Sequence, residues 1–267
     1  MQKALRIAAG LTGGLAILST ACESSTAAPF SQVARRDIDV DECAFGQAFT
    51  IEAAQLQNEF FPIHPGRQWQ LEGEQGGELM QLTVTVLNAT ELVGGVTTRV
   101  VEERESVNGE LVEVSRNFYA ENRAGTVCYF GEDVTIFLPD GSTSTEGAWR
   151  ADDASDPDNP SFPGVIMPAN PRVGMRFQME GAPGVAEDEG RIVESDRVKV
   201  PAGIYRETLR VREFNPLDGD IGFKTFAEDV GMIIDGEVKL TSCTVGCPAD
   251  RTDGGREGRE GREGRDH

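Results

Sequence analysis

Four side chains are the candidates for acid and base chemistry in this chain. His64 is the only histidine outside the C-terminal tail, and it lies between two prolines. Histidine is the most common general base near neutral pH, and Tyr119 with the carboxylates of Glu187 and Asp188 would complete a catalytic set. The opposing interpretation is structural, with His64 capping a sheet and the two carboxylates ending a solvated hairpin.

One acidic run has the composition of a cation site. Asp153, Asp156 and Asp158 follow Asp152 near the middle of the chain. Their oxygen atoms would suit Ca²⁺, which takes six to eight hard ligands. The run lacks the glycine of an EF-hand loop and contains Pro157, so a solvated, charged loop stays open as the alternative.

Large aromatic residues on the predicted strands are the candidates for ligand binding. Trp69, Trp149 and Phe177 would line a cavity if the strands enclose one, and they would be ordinary core if the interior is filled. Trp149 stands next to Arg150, where a long loop begins. The sequence contains no cofactor motif, and we expect no cofactor.

The first residues are typical of an export signal. A lysine and an arginine precede about a dozen apolar or small residues, fewer than the roughly 20 that a membrane-spanning helix requires. Ala21 then precedes Cys22, as in a bacterial lipobox, although Ser19 stands where leucine is usual. We expect removal of residues 1–21 and a lipid on Cys22 that anchors the chain to the cell envelope or cell surface. Ordinary cleavage after Ala21 or Ala28 is the alternative.

Four cysteines remain when the lipid site is set aside: Cys43, Cys128, Cys243 and Cys247. An even number in an exported chain favours disulfides, because the exterior of the cell is oxidising. Four cysteines allow three pairings, and the sequence does not choose among them. A metal site is the alternative, but Cys243 and Cys247 have no second cysteine pair or histidine near them.

The charge of the chain limits its partners. Lysine and arginine number 25 and acidic residues 45, a formal net charge of −20. Loss of the two basic residues of the signal leaves 23 against 45, or −22. Nucleic acids and anionic lipid surfaces both require a basic face. We therefore expect no nucleic-acid partner and contact with the membrane only through the lipid at Cys22. A small apolar ligand or a cell-surface partner stays open.

Two stretches of sequence occur twice. Residues 66–73 and 174–181 agree at two glycines, a glutamine and a glutamate, at an offset of 108. Residues 119–121 correspond to residues 226–228 at an offset of 107. These repeats predict an internal duplication.

Alternation of apolar and polar residues predicts strands in both halves. Leu82 and Val84 alternate with polar residues in the first half, and Leu209 and Val211 do so in the second. Asn-Gly and Asp-Gly pairs between such stretches favour tight hairpins. A short helix over residues 51–60 is the one helical candidate. We predict a mainly β fold in which duplicated antiparallel meanders close into a barrel, clam or sandwich.

The export signal, the repeats and the strand patterns together predict the organisation of the chain. It comprises a signal peptide at 1–21, a tether and N-terminal extension at 22–57, a first β half at 58–149, an irregular linker at 150–173, a second β half at 174–249, and a tail of Gly, Arg and Glu at 250–267 that we expect to be disordered.

Three runs in order along the chain carry a resemblance. Residues 58–73 contain Pro-Gly-x-x-Trp-x-x-Glu-Gly, residues 164–174 contain Ile-Met-Pro-Ala-Asn-Pro, and residues 182–188 read Ala-Pro-Gly-Val-Ala-Glu-Asp. Together they resemble a family of secreted bacterial β-rich proteins and lipoproteins of uncharacterised function, over approximately residues 58–240. The chain departs from the family pattern at Glu59, Gln70 and Leu71. The resemblance implies export and a β architecture, and it implies no activity.

Three functions are open on the sequence alone. The first is an exported, lipid-anchored binding or scaffold module for an apolar or amphipathic ligand. The second is an envelope enzyme, a lyase or hydrolase that uses His64 and Tyr119 with Glu187 and Asp188. The third is a structural surface protein. A carrier requires an enclosed apolar cavity, an enzyme requires an open polar cleft with His64 or Tyr119 beside a carboxylate, and a structural protein requires a filled interior.

Overall fold

The computed structural model describes residues 36–37, 40–151 and 160–247. In these ranges the chain forms two short 3-10 helices, Val40–Cys43 and Ala53–Gln55, and a set of strands. The strands are β1 (Arg36–Asp37), β2 (Phe49–Thr50), β3 (Gln68–Gln75), β4 (Glu78–Val93), β5 (Val96–Val107), β6 (Glu110–Asn122), β7 (Val127–Phe137), β8 (Thr143–Ser144), β9 (Trp149–Arg150), β10 (Gly164–Met167), β11 (Met175–Gln178), β12 (Glu189–Glu194), β13 (Val198–Val200), β14 (Gly203–Tyr205), β15 (Thr208–Phe214), β16 (Ile221–Ala227), β17 (Gly231–Asp235) and β18 (Val238–Cys243). The prediction of a mainly β fold is confirmed.

Some of the predicted features lie outside the described residues. They are the signal sequence, Cys22 with most of the tether, the acidic run of Asp152, Asp153, Asp156 and Asp158, and the C-terminal tail. These stay predictions. Among the residues that the structure does describe, no helix combines the length and the apolar character that crossing a bilayer requires.

Two meanders of six strands form one continuous sheet. The first runs β3-β4-β5-β6-β7-β10 and the second runs β11-β12-β15-β16-β17-β18, with neighbours hydrogen-bonded in that order. Antiparallel pairing of β18 with β3, where Leu240 faces Leu71, joins the meanders. The short strands β2, β8 and β9 add to β6 and β7, β1 pairs in parallel with β11, and β13 with β14 forms a separate hairpin. The predicted duplicated antiparallel meanders are therefore present.

The repeated sequences occupy equivalent strands. Residues 66–73 enter β3 and residues 174–181 include β11, which are the first strands of the two meanders. Residues 119–121 lie near the end of β6, and the matching residues 226–227 end β16, which are the fourth strands. The duplication seen in the sequence thus corresponds to the order of strands in the sheet.

The two free ends of the sheet approach each other. An isolated bridge joins Phe162, just before β10, to Gly181, just after β11. No continuous ladder joins these two strands in the described chain, so the curved sheet is not closed as a barrel. Gly73 and Gly181 are equivalent in the repeat, and a Cβ on either would collide with a carbonyl oxygen, of Glu237 or of Phe162 respectively. Both seams therefore require glycine.

The four cysteines, whose pairing the sequence did not determine, form two disulfides in the structure. Cys43–Cys128 spans 85 residues and is fully buried, with the Cα atoms 5.5 Å apart. Cys243–Cys247 closes a short loop, with a sequence separation of 4. These bridges are compatible with an extracellular protein.

Two local features differ from the prediction. Residues 51–60 contain only the 3-10 turn Ala53–Gln55, because the next backbone N–H groups bond to the Glu121 side chain instead of continuing a helix. The predicted linker contains β10, which pairs with β7. Two of the linker's prolines, Pro163 and Pro168, stand on either side of the strand, so they do not interrupt its ladder.

Candidate functional site

The inner face of the curved sheet has two chemically different ends. One end holds a cavity of about 40 Å³ with mainly apolar walls that include Phe61, Ile63, Trp69, Tyr119, Ile166 and Phe226. The other holds a cavity of about 50 Å³ lined by carboxyl groups that include Glu103, Glu105, Glu113, Glu132, Glu180 and Asp188. A water molecule needs roughly 10–15 Å³ and a ligand pocket about 300–1,000 Å³. Each cavity therefore has room for a few waters and for no larger ligand.

Residues 57–66, the cover segment, close the apolar end. The buried side chain of Asn58 holds this segment in place. Its Oδ1 accepts hydrogen bonds from the backbone N–H groups of Phe60 and Phe61, at 3.2 and 3.0 Å. Its Nδ2 donates to the carbonyl oxygens of Gly125 at 2.8 Å and Pro168 at 3.0 Å. Asn58 thereby ties the cover segment to the turn after β6 and to the end of β10.

Glu121 of β6 holds the same segment. Its carboxylate accepts hydrogen bonds from the backbone N–H groups of Gln57 at 2.7 Å and Asn58 at 3.2 Å. Burial raises the pKa of Glu121, and these two hydrogen bonds oppose the rise. At the other end of the segment, Arg67 Nη1 donates to the carbonyl oxygen of Asp229 at 2.6 Å. The cover is thus fixed at both ends.

A layer of charged groups lies where the two cavities meet, since Glu103 lines both of them. We call Glu103, Glu105, Glu213 and Asp235 around Lys224 the acid layer. Lys224 Nζ lies 3.5 Å from Glu213 Oε2 and 3.8 Å from Asp235 Oδ2. Desolvation lowers the pKa of Lys224, but the carboxylates of Asp235, Glu213 and Glu103 outweigh it and raise the pKa above its ordinary value. Lys224 is therefore the fixed cation of the layer.

Two carboxyl groups of the acid layer titrate near neutral pH. Burial raises the pKa of Glu103 to about 7, against the opposing attraction of Lys224. Burial raises the pKa of Glu105 to about 8, and repulsion from Glu113, Asp235 and Glu103 adds to the rise. Both side chains retain partial exposure to solvent. The charge of the layer therefore depends on pH in the physiological range.

Glu213 is the most deeply buried carboxyl group of the acid layer. Its side chain is 3% exposed, and neither carboxylate oxygen has a hydrogen-bond partner. Its ion pair with Lys224 is shared, because the same ammonium group also faces Asp235. Buried carboxylates are ordinarily both paired and hydrogen-bonded. Glu213 therefore depends on its ion pair with Lys224.

A notch in the sheet leads to the acid layer. β17 and β18 are shorter than their neighbours, so residues 221–223 of β16 and 73–75 of β3 have no partner in these strands. The resulting notch has a volume of about 360 Å³. Its walls carry the apolar side chains of Met80, Leu82, Ile221, Phe223 and Val238, and it reaches the carboxyl groups of Glu105 and Asp235. The notch has the size of a ligand site.

Of the three aromatic residues predicted to bind a ligand, Trp69 lines a cavity. It forms part of the apolar wall, and its Nε1 donates to the carbonyl oxygen of Val230 at 2.7 Å. Trp149 is buried edge-on against Tyr129, with ring centroids 5.3 Å apart. Phe177 is buried against the backbone of Gly190. Trp149 and Phe177 line neither the apolar cavity nor the notch.

The four predicted catalytic residues lie in different surroundings. His64 belongs to the cover segment, where burial and then the charge of Arg67 lower its pKa. Tyr119 is buried in the apolar wall, and burial raises the pKa of its hydroxyl. Glu187 accepts a hydrogen bond from the backbone N–H of Gly184 at 2.7 Å in its own turn, while Asp188 lines the acidic cavity. In the described chain, no hydrogen bond or ion pair joins His64 or Tyr119 to a carboxylate.

Sequence reasoning did not single out the acid layer. On β5 the inward positions read Val101, Glu103, Glu105 and Val107, so two carboxyl groups stand between valines on one face. No local signal marks these two positions as inward, because residues 102–106 between the two valines are all polar. The described residues include no group of three or more His, Cys, Asp or Glu side chains arranged to hold a metal ion.

The chain was compared with family models, curated proteins and solved structures, and none of them matches it. The three runs that carry the family resemblance all reach the interior. The run at 58–73 provides the cover segment and Trp69, the run at 164–174 provides Ile166 in the apolar wall, and the run at 182–188 provides Asp188 in the acidic cavity. The resemblance itself stays a prediction.

Proposed function

We propose that the chain is an exported, lipid-anchored binding module that takes a small amphipathic ligand in the notch. The observation that carries this proposal is the composition of the notch, a space of about 360 Å³ lined in part by apolar side chains and in part by polar or charged ones, among them the carboxyl groups of Glu105, Asp235 and Glu237. Export is supported by the signal-like start of the chain, and the two disulfides are compatible with it.

The apolar walls suit the hydrocarbon part of a ligand. Ile221 is 55% exposed at the edge of the notch, and Met80 and Phe223 are half-buried beside it. Apolar side chains that stay exposed in a concave site lose contact with water when a ligand covers them, at about 25 cal/mol per Å² of surface. Burial of these three side chains would supply the main driving force.

The floor suits the polar end of the same ligand. Glu105 and Asp235 meet the notch from the inner side of the sheet. A few polar groups at the end of an apolar space fix the orientation of a bound molecule. The apolar cavity is a poorer candidate, because its volume of about 40 Å³ holds no organic ligand while the cover segment is in place.

The test is a titration with three octyl compounds that differ only in the head group: n-octylamine, 1-octanol and octanoate. Isothermal calorimetry on the mature chain, below the aggregation concentration of each compound, should detect binding of at least one. Met80→Trp should abolish that binding, because the larger side chain fills the notch. Leu79→Trp is the matched control, since Leu79 is an exposed neighbour on β4 that does not line the notch.

Two results would refute the proposal. One is the absence of binding by all three compounds. The other is equal loss of binding in the Met80 and Leu79 variants, which would place the compounds elsewhere on the protein.

A further inference from the structure

We infer that the Cys243–Cys247 disulfide is a site of thiol–disulfide exchange with a dithiol, and that its reduction releases the end of the cover segment next to β3. The inference does not depend on the notch or on the proposed function. It is carried by the different exposure of the two disulfides and by the contacts of residues 243–247, which we call the cysteine loop.

The two disulfides differ in their access to solvent. Both cysteines of the Cys43–Cys128 bridge are 0% exposed. Cys243 and Cys247 are half-buried, and residues 244–246 between them are exposed. The rate of exchange depends on whether a thiolate can reach a sulfur atom of the bridge. A reductant in solution should therefore open the cysteine loop before the buried bridge.

Reduction of the cysteine loop should leave the fold intact. The stabilisation that a disulfide gives through chain entropy grows with the number of residues that it encloses. Cys243–Cys247 has a sequence separation of 4, against 85 for Cys43–Cys128. The larger part of the stabilisation by disulfides therefore stays in place when only the cysteine loop opens.

The cysteine loop is attached to the chain where the cover segment enters β3. The Thr244 N–H donates to the carbonyl oxygen of Gln68 at 3.1 Å, and Thr244 Oγ1 accepts from the Gln68 N–H at 3.0 Å. The same hydroxyl donates to the carbonyl oxygen of Gly66, the last residue of the cover segment, at 3.3 Å. The bridge holds Thr244 on these partners because it closes a loop of only three residues between the two cysteines.

The cysteine loop also lies against the turn between β16 and β17. A Cβ on Gly246 would lie 2.9 Å from the carbonyl oxygen of Asp229 and 3.1 Å from Val230 Cγ2. Arg67 Nη1 donates to the Asp229 carbonyl, and Trp69 Nε1 donates to the Val230 carbonyl. The loop therefore packs at the point where the cover segment meets the apolar wall.

The dithiol supplies everything that the reduction requires. One of its thiolates attacks a sulfur of the bridge, so the Cys243–Cys247 bond breaks and a mixed disulfide forms. The other cysteine leaves as a thiolate and takes up a proton. The second thiol of the reductant then displaces the remaining cysteine, which is protonated in turn. The protein gains two electrons and two protons as two thiols, and the dithiol becomes a disulfide.

The first test is partial reduction of the mature chain with dithiothreitol at about pH 8, followed by alkylation with iodoacetamide and peptide mass spectrometry. Cys243 and Cys247 should be alkylated at least about tenfold faster than Cys43 and Cys128. Equal rates for the two bridges, or resistance of both, would overturn the inference.

The second test measures the release of the cover segment by hydrogen exchange. After selective reduction, the amide of Gln68 should exchange about tenfold faster, because its acceptor Thr244 is no longer held in place. The amides of Phe60 and Phe61 are the internal control, since they bond to the Asn58 side chain at the other end of the segment.

A variant opens the cysteine loop without reductant or alkylation. Cys243→Ser combined with Cys247→Ser should show the same increase at Gln68, and dithiothreitol should not increase it further. An increase below about twofold at Gln68 in the reduced wild type would overturn the inference. An equal increase at Phe60 and Phe61 would also overturn it, because the whole segment would then have loosened.

Discussion

Replacing Glu105 by glutamine should stabilise the protein at alkaline pH and leave its stability at acidic pH almost unchanged. Burial, together with repulsion from Glu113 and Asp235, raises the pKa of this carboxyl from 4.5 to about 8. Between these two values the folded protein holds a proton that the unfolded chain has released. The free energy of unfolding of the wild type therefore falls as pH rises through this window. Glutamine resembles the protonated carboxyl and removes this contribution to the fall.

The size of the effect follows from the rise in pKa. A rise from 4.5 to about 8 corresponds to roughly 5 kcal/mol, at about 1.36 kcal/mol per pH unit. Glu105 is partly exposed, and screening by solvent reduces this upper bound to about 2 kcal/mol. At about pH 9 the Glu105→Gln variant should therefore be more stable than the wild type by about 2 kcal/mol.

The assay is urea unfolding at about pH 5 and about pH 9, with both disulfides intact, followed by the fluorescence of Trp69 and Trp149. Glu207, an exposed residue just before β15, provides the control: Glu207→Gln removes one negative charge and should change stability by less than about 0.5 kcal/mol. Two results would contradict the reasoning: a wild type that is equally stable at both pH values, or a Glu105→Gln variant that is less stable than the wild type at alkaline pH.

Three further predictions concern the framework. Asn58→Ala should lower the free energy of unfolding by about 2–4 kcal/mol, because it leaves buried backbone groups without partners. Gln57→Ala, at an exposed neighbouring position, is the control, and equal stability of the two variants in urea would contradict a structural role of the Asn58 side chain. Removal of the Cys43–Cys128 bridge by double alanine substitution should cost about 4–5 kcal/mol from loop entropy, and a loss below about 1 kcal/mol in the same assay would refute it. Gly181→Ala should lower the free energy of unfolding by about 1–3 kcal/mol, since the added Cβ collides with the backbone of Phe162. An unchanged melting temperature would contradict the close approach of the two backbones at this position.

Local sequence signals predicted the strands because half-buried strands keep a period of two. Leu82 and Val84 on β4, and Leu209 and Val211 on β15, are buried as their alternation indicated. The turn at Asn108 and the glycine after it has positive φ at both residues, as a tight hairpin requires. The Cys43–Cys128 bridge joins a 3-10 helix to β7 across 85 residues, and no local pattern encodes this pairing.

The acid layer was not predictable in the same way. Residues 102–106 of β5 are all polar, so alternation does not show which face turns inward. The inward face follows from pairing with β4 and β6 over the whole strand, a long-range property. The notch likewise arises from the difference in length between β17 and its neighbours. Aromatic residues drew attention in the sequence, but Trp149 and Phe177 are core because their strands lie away from both the apolar cavity and the notch.

The duplication places equivalent acidic residues in the acid layer. At the offset of 108 set by the first repeat, Glu105 of one meander corresponds to Glu213 of the other. At the offset of 107 set by the second repeat, Lys224 corresponds to Asn117, which is buried and accepts a hydrogen bond from the Tyr129 hydroxyl at 2.7 Å. The two halves thus contribute equivalent glutamates but a single lysine.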